Sequence, residues 1–221
     1  MLTQRIVKAY CQIGLGVSPE SSKKQLEEAV DLFGRQLSEL EQFAPSPKIE
    51  YALSRVRIYW SPFARAAANP ATRYGVKTLT EFDDELLFAT DQVVILIEGA
   101  ASSPHARLIN IAGRQRMLGQ RLAKLYMLNA WGFDQPRIQS DSDRARFEFD
   151  GALRELQKAP QNTSIINRQL TAAVSRWSEF KQALTTTDKA SPQRVADLSE
   201  ELLHRMDEIT RLYETLFSRK R

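Results

Sequence analysis

The residues of this sequence whose types and spacing could bind a ligand lie in INIAGRQRMLGQRLAKLY, residues 109–126. Ala112, Arg116, Gly119 and Ala123 follow one another at spacings of four, three and four, which places them on one face of a helix. Small residues around a guanidinium leave room for a small ligand or for a second helix to approach closely. Because arginine presents a planar fork of donors, it suits a planar oxyanion. The pattern alone leaves both interpretations of Arg116 open, a structural role between helices and contact with an anion.

The residues around this stripe predict the core of a helical bundle. Those that recur at alternating spacings of three and four are Leu108, Ile111, Gln115, Leu118, Leu122, Leu125 and Asn129. Arg107, Arg114 and Arg121 recur every seven residues along the edge of that seam. We expect these three arginines to form flanking salt bridges or to be solvated.

No group of residues predicts a catalytic or metal site. His105 and His204 are far apart, and no nucleophile is accompanied by a base at a recognisable spacing. The acidic run 83–85 is expected near the start of a helix, where carboxylates favour the helix dipole. The sequence therefore predicts a non-enzymatic protein without a cofactor.

Charge is distributed unevenly along the 221 residues. Residues 1–103 carry 11 basic and 13 acidic side chains, a net charge of −2, whereas residues 104–221 carry 20 basic and 14 acidic side chains, a net charge of +6. The second half is therefore the expected place for an anion to bind. No recognised nucleic-acid motif accompanies the arginines, so nucleic acid is not a predicted partner.

The sequence as written predicts a soluble chain without a targeting signal. Its single cysteine, Cys11, excludes an internal disulfide. The first twenty residues include Arg5, Lys8 and Gln12, which do not fit a signal peptide, and no apolar run has the length of a transmembrane helix.

The sequence also contains an internal repeat. MLTQRIVKAY, residues 1–10, matches residues 117–126 at an offset of 116. The match continues at an offset of 116 or 117 in the pairs Ala29 and Ala145, Leu37 and Leu153, Trp60 and Trp177, Phe63 and Phe180, and Asp91 and Asp207. This pattern predicts a tandem duplication.

Apolar periodicity and the positions of proline and glycine predict four helices in each copy. The expected helices are about 1–16, 21–43, 48–68 and 77–101 in the first copy, and about 104–131, 142–158, 165–184 and 192–217 in the second. Ser103 is the expected N-cap of the helix that carries residues 109–126, and Gly132 and Pro136 are expected to end it. The predicted fold is all-α, with two tandem up-and-down four-helix bundles in domains 1–103 and 104–221.

The segment INIAGRQRMLGQRLAKLY resembles the motif of the PilJ-type sensory domain. This domain is the N-terminal part of type IV pilus chemotaxis transducers and is related to the nitrate/nitrite-responsive NarX-type sensor domain. The likeness is carried by Asn110, Gly113, Met117 and the runs 114–116 and 120–121. Gly119 departs from the pattern, because many family members have serine there.

The resemblance implies a four-helix sensor in which paired motif helices bind a small anion such as nitrate or nitrite. Its expected binding residues here are Arg116, Gly113, Met117, Arg114, Asn110 and Gln120. The motif helices would pair in a homodimer or in an intramolecular pseudo-dimer, and a membrane-bound signalling protein would be the partner. The alternative is a helical interaction module that docks on a membrane sensor or a pilus component without a ligand of its own.

The first copy begins at the methionine that matches Met117, so its first helix is expected to be truncated and to lack a counterpart of Arg116. A bundle with one short helix should expose part of its core at the open end. If Met1 is an internal methionine of a longer protein, the missing half of the motif and an export signal would lie upstream, which implies a periplasmic location.

Overall fold

The computed structural model describes residues 1–101, 104–133, 136–186 and 188–218. Within these ranges it contains eight helices and no strand, which confirms the all-α prediction. In chain order the helices are α1 Leu2–Leu15, α2 Pro19–Phe43, α3 Pro47–Ala67, α4 Arg73–Ala101, α5 Pro104–Ala130, α6 Pro136–Gln157, α7 Ser164–Ala183 and α8 Ser191–Ser218.

Two predicted helix starts were wrong. Pro136 opens α6, six residues before the predicted start, because proline is well suited to the first turn of a helix. Helix α4 begins at Arg73, so Asp83 lies in its third turn and not near its start. Asp83 is buried and accepts a 2.8 Å hydrogen bond from Gln4 Nε2. The predicted N-cap Ser103 lies outside the described residues.

The chain folds into two compact units, the N-terminal unit Leu2–Ser102 and the C-terminal unit Ser103–Arg221. In the N-terminal unit, α2 and α4 each pack against both α1 and α3. In the C-terminal unit, α6 and α8 each pack against both α5 and α7. Short connections between sequence neighbours make adjacent helices antiparallel, so each unit is an up-and-down four-helix bundle.

The same packing recurs in the two units at an offset of 116 or 117 residues. In the N-terminal unit the rings of Phe33 and Trp60 stack with centroids 4.1 Å apart, and in the C-terminal unit Phe149 and Trp177 stack at 3.9 Å. Tyr10 donates a 2.7 Å hydrogen bond to a backbone carbonyl 60 residues later, and so does Tyr126 at 2.8 Å. The ring stacks join corresponding helices in each bundle, and the tyrosine bonds join the first helix of each bundle to the loop before its last helix.

The first helix of each unit ends in the same way. Gly16 and Gly132 both have positive φ angles, of 71° and 82°. The residue after each glycine, Val17 or Phe133, donates its backbone N–H to a carbonyl five residues earlier. A side chain would strain this left-handed backbone, so glycine is the favoured residue at both positions.

Candidate functional site

The motif helix is α5, the helix that carries residues 109–126. One of its sides packs on α6 and another on α8, so its side chains fall into an α6 side, an α8 side and a bundle interior. The candidate residues are distributed over these three environments. Their surroundings therefore differ, although they are close in sequence.

Arg116 lies on the α8 side. Its Nη1 donates to Asp207 Oδ1 on α8 at 2.5 Å. The pair is partly exposed, since 30% of the Arg116 side chain and 34% of the Asp207 side chain are accessible to solvent. Arg211, one turn further along α8, also approaches Asp207, with an N–O distance of 3.8 Å. The guanidinium thus links the motif helix to the last helix of its bundle.

The other edge of the Arg116 guanidinium is not engaged by Asp207. Its Nε is buried and makes no hydrogen bond within the described part of the chain. A Cβ at Gly113 would lie 3.4 Å from Nη2, so the absence of a side chain at this position keeps space beside the guanidinium. Asn110, Gly113 and Met117 are half-buried and follow one another at spacings of three and four. They form one face of α5 next to Arg116.

The small residues of the stripe around Arg116 are buried within the C-terminal bundle. Ala112 and Ala123 are fully buried. A Cβ at Gly119 would lie 3.5 Å from Cδ2 of Leu202 on α8, so Gly119 faces that helix directly. The small stripe therefore allows close helix approach, which is one of the two roles its spacing predicts.

The arginines of the heptad pattern face α6 and form a ladder of ion pairs. Arg107 pairs with Glu155 at 2.8 Å, Arg114 with Glu148 at 3.0 Å and Arg121 with Asp141 at 3.3 Å. The three acids are themselves seven residues apart on α6. The predicted flanking salt bridges are confirmed.

Besides Arg116, two of the six candidate ligand residues are engaged within the bundle. Arg114 is held by Glu148 on the α6 side, away from Arg116. Gln120 is fully buried, and its Nε2 donates a 3.1 Å hydrogen bond to the Ser199 carbonyl on α8. The structure thus places Arg116 with Gly113, Met117 and Asn110 nearby, and separates Arg114 and Gln120 from them. Ligand binding by all six stays a prediction.

Two important carboxylates were missed by the sequence analysis. Asp207 matches Asp91 in the repeat, but nothing in the motif helix indicates that it is the partner of Arg116. Asp141 forms ion pairs with Arg121, Arg137 and Arg144, with N–O distances of 3.3, 3.6 and 2.6 Å. The seven-residue spacing of the α6 acids was the available signal for Asp141.

Two of the cavities formed by described residues of the C-terminal unit lie away from Arg116. The larger, of about 610 Å³, lies where α5 begins and α6 ends, and it is lined by residues that include Arg107, Arg154 and Lys158. The smaller, of about 90 Å³, is lined by residues that include Asn129 and Arg146. Because 30% of its side chain is accessible to solvent, Arg116 lies at the surface between α5 and α8.

Residues 100–211 match the family described as the type IV pili methyl-accepting chemotaxis transducer N-terminal domain, PilJ. The match covers half of the 221 residues. The chain belongs to the PilJ family. The PilJ match includes most of the C-terminal unit, with the motif helix and Asp207. Comparison with curated proteins and with solved structures found no match.

Membership of the PilJ family identifies a sensory-type domain of a chemotaxis and pilus transducer. PilJ is a signal-transducer family and not a catalytic one. Among the described residues, no group of three or more His, Cys, Asp or Glu side chains is placed to hold a metal ion. No helix in the described ranges combines the length and the apolar character needed to cross a membrane.

Proposed function

We propose that this PilJ-family chain is a non-enzymatic sensory protein that recognises a small planar oxyanion, such as nitrate or nitrite, at Arg116. The observation that carries the proposal is the position of this guanidinium. It lies within the residues matched to a sensory family, is partly exposed, and makes only one hydrogen bond, to Asp207, among the described residues. A planar anion accepts two parallel hydrogen bonds from such a fork.

The charge of the C-terminal half supports an anionic ligand. Residues 104–221 have a net charge of +6, and Arg211 adds a second guanidinium near Asp207. Positive potential concentrates small anions at the surface and speeds their association. Arg114 and Gln120 then act as positioning residues, because their side chains fix α5 against α6 and α8.

Competition with Asp207 supplies the link between binding and signal. An anion on Arg116 shares the guanidinium with the carboxylate, which weakens the ion pair that joins α5 to α8. Ligand therefore favours a conformation in which α8 is held less tightly by the motif helix. A ligand shifts such an equilibrium only by its difference in affinity for the two states.

The repeat extends the proposal to the N-terminal unit. Its recurring aromatic stacks, tyrosine hydrogen bonds and helix ends support a second PilJ-like domain that arose by tandem duplication. By family resemblance, the motif helices pair in a homodimer or a pseudo-dimer, with Asn110, Gly113 and Met117 on the pairing face. A membrane-bound signalling partner and a periplasmic location complete this proposal.

The test is calorimetric titration of the purified chain with nitrate, nitrite, sulfate and chloride at constant ionic strength. Arg116→Ala should weaken binding of the preferred oxyanion by roughly 10- to 100-fold, because it removes charge-assisted hydrogen bonds of about 1.5–3 kcal/mol. Arg116→Lys should also weaken it, because an ammonium lacks the planar fork.

Arg107→Ala is the matched control, since it removes an arginine and its ion pair with Glu155 from the same helix on the α6 side. Circular dichroism should show the same helix content in all variants. Equal affinity in the wild type and Arg116→Ala would refute the site. If the folded chain binds none of the four anions, the alternative function, a helical module that docks on a sensor or pilus component, is favoured.

A further inference from the structure

The smaller cavity of the C-terminal unit, of about 90 Å³, lies where α5 ends and α6 begins, next to the end of α7. Its walls combine polar and apolar side chains. The polar ones include Asn129, Ser142 and Arg146, and the apolar ones are Leu125, Ile138 and Leu184. One water molecule needs at least roughly 10–15 Å³, so the space can hold several waters or one small ligand. It is here called the Arg146 cavity.

Arg146 brings a positive charge to this cavity that the described residues compensate only weakly. Its one hydrogen bond to them runs from Nη2 to Ser142 Oγ at 3.3 Å, and its Nε is buried without a partner among them. Its ion-pair partner is Asp143, at an N–O distance of 3.9 Å and with a side chain that is 59% exposed. That carboxylate also accepts hydrogen bonds from Gln139. Because a long, exposed ion pair is weak, the guanidinium can accept an anion.

Two neutral donors line the same cavity. Ser142 lies one turn before Arg146 on α6, and because its oxygen accepts the bond from Nη2, its hydroxyl proton can be donated to a ligand. Asn129 is on the last turn of α5, and its side-chain amide makes no hydrogen bond among the described residues. None of the described residues that line the cavity is acidic. A guanidinium, a hydroxyl and an amide together suit an anion with two or more acceptor oxygens.

The N-terminal unit shows that the four-helix fold does not need polar side chains at these positions. At the repeat offset of 116, the three polar residues of the cavity match Ile13, Leu26 and Val30. All three matches are apolar, and Leu26 is a core residue that is 8% exposed. Polar groups in a partly buried place cost free energy unless they are hydrogen-bonded. The polar set of the C-terminal unit therefore indicates a bound partner and not a packing requirement.

We propose that the Arg146 cavity is a second ligand site and that it binds a short-chain monocarboxylate of the size of acetate or propionate. The carboxylate accepts hydrogen bonds from Arg146, Ser142 and Asn129, and the hydrocarbon end packs on the apolar wall of the cavity. A single guanidinium matches a single negative charge, and the small volume limits the length of the chain.

This site is separate from the one proposed at Arg116. Asn129 lies thirteen residues after Arg116 on α5, roughly 20 Å along the helix axis. Arg116 contacts α8, whereas the Arg146 cavity lies between α5 and α6. Nitrate has the charge and the planar oxygens of a carboxylate but no hydrocarbon end, so it gains nothing from the apolar wall. The inference does not depend on anion binding at Arg116.

The experiment is an NMR titration of the full ¹⁵N-labelled chain with sodium acetate and sodium propionate, and with sodium nitrate and sodium chloride for comparison, at pH 7 and constant ionic strength. Arg146→Val introduces the residue that the N-terminal unit has at the matching position, so the bundle should be retained. Arg154→Val is the matched control, because it removes an exposed arginine from the same helix two turns further on, outside this cavity. Ser142→Ala tests the site while Arg146 is kept.

We expect both carboxylates to cause saturable shifts in the amide signals of residues around the cavity, including the side-chain amide of Asn129. Propionate should bind roughly fourfold more tightly than acetate, because it buries one more methylene. Arg146→Val should weaken binding at least tenfold through the loss of charge-assisted hydrogen bonds, and Ser142→Ala should weaken it severalfold. Arg154→Val and Arg116→Ala should bind both carboxylates as the wild type does.

The absence of saturable shifts with either carboxylate would overturn the proposal, because the cavity would then hold only solvent. Equal shifts with nitrate or chloride would also overturn it, because charge alone would explain them. An equal loss of affinity in Arg154→Val would have the same consequence. Signals next to Arg116 and Asp207 report on the other site, so the two proposals can fail independently.

Discussion

Replacing Asp207 by asparagine should make the chain less stable and make it bind the anion more tightly. The substitution keeps the shape of the side chain and removes its negative charge. Arg116 then loses the carboxylate that its Nη1 contacts at 2.5 Å, and Arg211 loses a neighbour at 3.8 Å. Two guanidiniums are left next to a neutral amide, which favours an added anion.

The size of the effect follows from the exposure of the pair. Because about a third of each side chain is accessible to solvent, the attraction is screened, and the ion pair stabilises the fold by about 0.5–1 kcal/mol. An anion no longer has to compete with that pair, so its affinity should rise by roughly two- to fivefold. The same loss should lower the melting temperature of the ligand-free protein by roughly 2–4 °C at most.

The assay compares wild type and Asp207→Asn by calorimetric titration with nitrate and by thermal unfolding, at one ionic strength. Glu155→Gln is the control, because it releases Arg107 from a 2.8 Å ion pair on the opposite, α6 side of the same helix. This variant should lose less stability than Asp207→Asn, because its pair is more exposed, and it should show no gain in affinity. Unchanged or weaker nitrate binding in Asp207→Asn would refute competition at Arg116, and so would an equal gain in Glu155→Gln.

Two further predictions concern the framework of the bundles. Gly132→Ala and Gly16→Ala should each destabilise the chain by about 1 kcal/mol in chemical denaturation, since both glycines have positive φ; a neutral effect at either position would contradict the assigned helix end. Burial raises the pKa of Asp150, but hydrogen bonds from Trp177 and Lys181 outweigh it, so the pKa lies below its ordinary value. The stabilisation is therefore complete at neutral pH and lost as the pH falls below about 4, so the melting temperature should fall more steeply with acid in the wild type than in Asp150→Asn. Parallel curves for the two proteins would exclude this contribution.

The sequence was sufficient for features that depend on one helix. Arginines every seven residues predict positions at the edge of a seam that are either salt-bridged or solvated, and the structure pairs them with acids at the same spacing on α6. Apolar periodicity likewise predicts helices and no strands. These features depend on local spacing, which the order of residues determines directly.

Features that depend on two distant segments were not predictable. The partner of Arg116 lies 91 residues away, and spacing along α5 does not reveal which helix faces it. The stripe around Gly119 is compatible with a ligand or with a helix, and only the fold places Leu202 against it. Pro136 can end one helix or open the next, and the structure shows that it opens α6.

The arginine ladder between α5 and α6 also determines how these helices can slide. The arginines on α5 and the acids on α6 have the same seven-residue repeat, so one axial position of the two helices aligns all three ion pairs. An axial slip of one residue, about 1.5 Å, would stretch all three pairs at once. The next matching register lies seven residues away, about 10 Å along the axis, and retains only two of the pairs. The ladder therefore favours one axial register between α5 and α6, and we expect the two helices to move along their axes together.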